Sequence, residues 1–138
     1  MTQETTTKEK DAKQKTVFIV DDDSFLLDMY ALRFTQAGYH VETAMNADQT
    51  IEKLKSGIVP DVMLLDVVMP VTDGFELLEK MNSEGIAKNV LKIYLSNLGQ
   101  DQDIARGKEL GAVGYIVKAS STPSEVVAKV EEIIHGNK

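Results

Sequence analysis

The stretch Asp61 to Gly74, Asp-Val-Met-Leu-Leu-Asp-Val-Val-Met-Pro-Val-Thr-Asp-Gly, constrains the fold more than any other part of the chain. Val62 to Leu65 is a short unbroken apolar run, the pattern of a strand buried on both faces of a parallel sheet. It stops at Asp66, so a carboxylate stands where the strand emerges. Pro70 and then Asp73-Gly74 force a turn, and Asp73 suits the cap of a helix beginning near Phe75. Ligands of open α/β sheets bind outside the carboxyl ends of the strands, which puts Asp66 where chemistry occurs. Taken alone, it reads more readily as a turn aspartate held by backbone amides.

The remainder of the chain repeats this grammar. Thr16 to Val20 is a second β-rich run ending in Asp21-Asp22-Asp23, and Ser24 to Ala37 places Leu27, Tyr30, Ala31 and Phe34 on one helical face, with Asp23 or Ser24 as cap and Gly38 as stop. Tyr39 to Thr43 is a strand and Ala47 to Ser56 a short helix. Phe75 to about Glu84 is a helix with Phe75, Leu78 and Met81 inward. Val90 to Leu95 is a fourth strand with Ser96 at its exit. Gln100 to Leu110 is a helix weakened by Gly107, at about 1 kcal/mol relative to Ala. Val113 to Val117 is a fifth strand with Lys118 at its exit. Pro123 opens a last helix with Val126, Val130, Ile133 and Ile134 on one face. Strands alternating with helices predict a doubly wound five-stranded parallel sheet of flavodoxin-like order 2-1-3-4-5, with helices on both faces.

Composition narrows the function. The chain has 138 residues, 43% of them hydrophobic, which suits one domain with a real core. It has no cysteine and two histidines, His40 and His135, which excludes disulfides, thiolate chemistry and a histidine-rich metal site. A formal net charge of -7 disfavours nonspecific contact with nucleic acid or anionic membrane. There is no apolar run long enough to cross a membrane and no N-terminal secretory signal, so a cytoplasmic location is expected. Residues 1–14 are polar and read as a disordered tail, leaving 15–138 as the folded domain. Nothing after the last helix reads as a DNA-binding or enzymatic output domain.

In the order 2-1-3-4-5, strands 1 and 3 are neighbours, so Asp21, Asp22 and Asp66 converge. Three carboxylates together repel, and at least one pKa must rise unless a cation joins them. Oxygen ligands of this kind suit Mg²⁺. Lys118 adds a positive point charge and Ser96 a hydroxyl donor. An aspartate nucleophile with a divalent cation, a lysine and a hydroxyl can carry out phosphoryl transfer to a carboxylate, giving an aspartyl phosphate. Each residue also has a structural reading: Asp21 to Asp23 and Ser96 as helix caps, and Lys118 as a surface lysine.

Together, Val20-Asp21-Asp22-Asp23, Asp66-Val67-Val68-Met69-Pro70 with Asp73-Gly74, Ser96, and Gly111-Ala112 through Gly114-Tyr115 to Lys118 resemble the receiver domain of two-component response regulators, including the chemotaxis type. The resemblance covers Thr16 to Ile134. It implies that Asp66 accepts phosphate from a histidine kinase or a histidine phosphotransfer protein. It also implies that Asp22 is a direct Mg²⁺ ligand, that Asp21 acts mostly through a water, and that Val68 lends a backbone carbonyl to the metal. Ser96 and Tyr115 match the two switch positions. The implied function is a receiver that catalyses only its own phosphorylation and dephosphorylation. Its output would be a protein–protein contact through the Gln100–Leu110 helix, Tyr115 and the last helix.

Four positions set the chain apart within the family pattern. Ala119 and Ser120 stand where proline, with a cis peptide, and an aromatic are usual, so the Lys118-Ala119 peptide is either cis or the loop is rebuilt. Asn97 replaces a smaller residue. Val68 is apolar and cannot orient a hydrolytic water, which implies a long-lived phosphoryl group. A Mg²⁺-dependent phosphatase with an aspartate nucleophile is the alternative, but it needs a second acid at the position of Val68. A degenerate receiver that binds without phosphorylation is disfavoured by the intact Asp66, Asp22 and Lys118. On this reading Tyr115 turns inward when phosphorylation draws Ser96 toward Asp66, and the Gln100–Leu110 helix moves.

Overall fold

A computed structural model describes residues 14–136; the expected tail falls at residues 1–13 outside them, save Gln14. The elements are β1 (Thr16–Val20), α1 (Ser24–Gln36), β2 (His40–Ala44), α2 (Ala47–Lys55), β3 (Val62–Leu65), α3 (Gly74–Glu84), β4 (Leu91–Ser96), α4 (Asp101–Glu109), β5 (Gly114–Val117), a 3₁₀ turn (Lys118–Ser120) and α5 (Pro123–Gly136). All four strand pairings are parallel and the sheet order is β2-β1-β3-β4-β5, as the sequence predicts. Element ends differ from the expected ones by a residue or two, the ordinary fraying of such boundaries.

Period-two alternation divides the sheet's side chains between two cores. Val17, Ile19, Val62, Leu64, Ile93 and Leu95 point to the face covered by α1 and α5, where Leu27, Tyr30, Phe34, Val126, Val130 and Ile134 meet them. Phe18, Val20, Met63, Leu65 and Tyr94 point the other way, onto Ile51 of α2 and Phe75, Leu78 and Met81 of α3. Every residue of β3 is buried, which is why its sequence shows no alternation of polarity.

The helix starts are fixed by side chains near the strand exits. Asp23 caps α1, accepting from the amides of Phe25 and Leu26 at 3.0 and 3.1 Å. Asp73 and Glu76 form a capping box at α3, at 2.8 and 2.9 Å. These caps point the loops after β1 and β3 in fixed directions at one end of the sheet. All peptide bonds among the described residues are trans, so the loop after Lys118 is rebuilt, as a 3₁₀ turn.

Candidate functional site

The ladder carries on past the last strand residues and positions the acids. Asp66 donates its amide to the carbonyl of Val20 at 3.0 Å, and Asp21 donates to that of Ala44 at 3.1 Å. The amide of Asp23 closes a tight turn on Asp21 Oδ1 at 2.9 Å. Oxygens of Asp21, Asp22 and Asp66 consequently lie within 4.8 Å of one another, Asp21 and Asp66 buried and Asp22 exposed. Gly74 is required beside them: a Cβ there would stand 2.1 Å from the carbonyl oxygen of Asp66. The loop after β3 thus folds back against its own start, held by Gly74 N–H on the carbonyl of Val67 at 2.8 Å.

Lys118 reaches into this group from the exit of β5. Its Nζ lies 2.7 Å from Asp21 Oδ2 and 3.4 Å from Asp66 Oδ2, and the side chain is nearly buried. The amide of Val68 donates to Asp66 Oδ1 at 3.4 Å. Burial pushes the Asp66 carboxyl up to about 6, with Asp21 adding to the rise and Lys118 opposing it. For Lys118, burial alone would lower the pKa, but the bonds and charges of Asp21 and Asp66 outweigh it and the pKa rises. One ammonium against three carboxylates leaves the pocket net negative, and its donors are hard carboxylate oxygens. That is the donor set of a Mg²⁺ site, and the residues fit such an ion.

Ser96 is fully buried at the exit of β4, its Oγ accepting from the amide of Leu98 at 3.2 Å. Asn97 is exposed beside it, and Val68 is 56% exposed at the mouth of the pocket. The structure corrects one expectation. Tyr115 is already turned inward: its hydroxyl donates to the carbonyl of Leu98, and its ring lies 5.7 Å from that of Tyr94. Burial, with Asp103 second, pushes its phenol up to about 12. Gly107 lies against the same pair of rings: a Cβ there would come within a tight 3.0 Å of Tyr94 and an ordinary 3.4 Å of Tyr115. Gly107 is therefore a packing residue as well as a weak point of its helix. Sequence reasoning passed over Tyr94 altogether, because a tyrosine in an apolar strand looks like core.

A parallel sheet whose strand exits gather three carboxylates, a lysine and a hydroxyl defines an α/β domain built to handle a cation and an anionic group at one edge. The chain belongs to the response regulator receiver domain family, whose model matches residues 17–131. It is thus a phosphoacceptor module of two-component signalling. It is 32% identical over 120 residues to the phosphate regulon transcriptional regulatory protein PhoB of Pseudomonas aeruginosa, covering 87% of this chain and 52% of that protein. It is 28% identical to the DNA-binding dual master transcriptional regulator RpaA of Synechocystis, covering 86% of this chain and 48% of that one. The chain spans about half the length of these curated relatives. Among solved structures, it matches the Vibrio cholerae chemotaxis protein CheY4 with a TM-score of 0.79 at 28% identity, over 87% of this chain and 98% of that one. A CheY-like receiver from Methanospirillum hungatei matches with a TM-score of 0.79 at 27% identity, over 90% and 96% of the two chains.

Proposed function

We propose that Asp66 is the phosphoacceptor and that the chain catalyses its own phosphorylation and dephosphorylation. The observation that supports this reading is the Lys118 ammonium 3.4 Å from Asp66 Oδ2, inside a group of three carboxylates within 4.8 Å. A carboxylate oxygen of Asp66 attacks phosphorus and forms the new O–P bond. The P–N bond to the donor histidine breaks, and its electron pair stays on the imidazole nitrogen, which takes up a proton. Asp22, Asp66 and the carbonyl of Val68 would hold Mg²⁺ directly, with Asp21 acting through water. When bound, the ion neutralises charge on the transferring phosphoryl oxygens. Lys118 and the hydroxyl of Ser96 bind the other phosphoryl oxygens, and the Val68 amide orients Asp66.

The donor is a histidine kinase or a histidine phosphotransfer protein. Val68 offers no group to aim a water at phosphorus, so the aspartyl phosphate is long-lived. The signal leaves through protein contacts on α4, Tyr115 and α5, and the protein works in the cytoplasm. Acetyl phosphate with Mg²⁺ tests the reading: intact mass is expected to rise by one phosphoryl group and to return slowly, with no sustained turnover of unrelated phosphoesters. Sustained turnover, or no mass gain, overturns it.

A further inference from the structure

Tyr94 sits in β4 with no exposed surface, and the chemistry above does not use it. Its hydroxyl donates to the carbonyl of Gly74 at 2.9 Å. Gly74 is the residue whose backbone lies against that of Asp66, too close for any Cβ. The Tyr94 ring meets Phe75 edge-on at 5.2 Å and Tyr115 at 5.7 Å, and a methyl group at Gly107 of α4 would press on it at 3.0 Å. One rigid side chain thus touches the loop that carries Asp66 and the helix and tyrosine of the output face. Burial raises the phenol's pKa, so it remains a neutral donor. Phenylalanine would fill the same volume without a buried polar group to satisfy, so packing alone does not account for the hydroxyl.

We propose that Tyr94 is a positioning residue that sets the Asp66 loop and the Tyr115–α4 face together, alongside the route through Ser96. The proposal rests on Asp66 being the phosphoacceptor. A phosphoryl group on Asp66 displaces the backbone that Gly74 abuts. The buried hydroxyl cannot leave the Gly74 carbonyl without stranding a donor away from water, so the ring follows the loop. Its ring packs against Tyr115 and beside Gly107, so its movement reaches α4.

The test uses the full chain with Mg²⁺ and beryllofluoride, a phosphoryl mimic. Amide exchange across residues 101–109 is expected to change in the wild type and to lose about half or more of that change in Tyr94→Phe. A double-mutant cycle of Tyr94→Phe with Tyr115→Phe is expected to depart from additivity in beryllofluoride affinity by about threefold or more. Gly107→Ala, which presses on the same ring from α4, is expected to shift that affinity by a similar factor. An additive cycle with unaltered exchange overturns the proposal, as does a melting shift that is equal with and without beryllofluoride. Failure of the wild type to take up acetyl phosphate or beryllofluoride overturns the phosphoacceptor reading itself.

Discussion

Helices α4 and α5 both follow the last strands of the sheet, but they are held in different ways. α5 plants Val126, Val127, Val130 and Ile134 in the core shared with α1. α4 buries only Gly107, which has no side chain to anchor it. What holds α4 instead is polar and peripheral. Arg106 pairs with Glu79 at 3.1 Å and lies over the Phe75 ring at 4.9 Å, and Asn82 donates to the carbonyl of Leu110 at 2.9 Å. Exposed contacts of this kind each contribute about 1 kcal/mol or less. A helix attached by area is a fixed wall, whereas one attached by a few exchangeable contacts can be repositioned at small cost. On the proposed route from Asp66, the signal leaves through the second kind.

The contrast has meaning only if the signal starts at the acidic pocket. Asp66→Ala is expected to reduce phosphate incorporation to background while the fold persists, read by intact mass after acetyl phosphate. A phosphoryl increment that survives the substitution would detach the pocket from α4. Next in size is the difference in anchoring itself. Val130→Ala in α5 is expected to cost about 2 kcal/mol or more, and Ile104→Ala in α4 less than about 1 kcal/mol, in urea unfolding. Equal costs would erase the distinction between the helices.

A third expectation concerns charge. The Asp66 carboxyl titrates near 6 in the folded protein, above its ordinary 3.8. The folded state therefore keeps a proton that the unfolded chain has released. Stability from this group is present at pH 4 and is lost as the pH rises through 6. Asp66→Asn removes that loss, so without Mg²⁺ it is expected to be more stable than wild type by on the order of 1–3 kcal/mol at pH 8. The gap should close near pH 4, and millimolar Mg²⁺ should raise the wild-type melting temperature but not the variant's to the same degree. Parallel stability curves for the two proteins from pH 4 to 8 would show that Asp66 carries no such penalty. The smallest effect is expected from Asn82→Ala, which should speed amide exchange in α4 several-fold with a stability change below about 1 kcal/mol. Exchange in α5 should stay as it was.

Much of this was legible because the parallel sheet writes itself in the sequence as runs of apolar residues ending at polar ones. Asp21, Asp22, Asp66, Ser96 and Lys118 could be brought to one edge from strand order alone. The expected caps at Asp23 and Asp73 were readable because capping depends on local spacing. What stayed hidden depends on contacts between distant segments. Nothing near Lys118 in the chain says that its ammonium lies closer to Asp21 than to Asp66. The close approach of α4 to the Tyr94 ring uses the missing Cβ at Gly107, and a glycine in a helix reads first as a weakness. Nothing in the run Val90 to Leu95 says that Lys92 is buried and donates to the carbonyl of Ala87 across the turn after α3.

The ion pairs of Lys118 also bear on how the molecule is put together. The carboxylates come from the exits of β1 and β3, and the ammonium from the exit of β5. In a chain made from its N-terminus, segments that gather negative charge exist well before the segment that balances it. β5 is a four-residue edge strand paired with β4 alone, a short ladder on which to end a sheet. Its far end is tied by Lys118 to Asp21 and Asp66 at the exits of β1 and β3, across the intervening β4. The lysine proposed to bind phosphate is thus also the tie that joins the edge strand to the middle of the sheet.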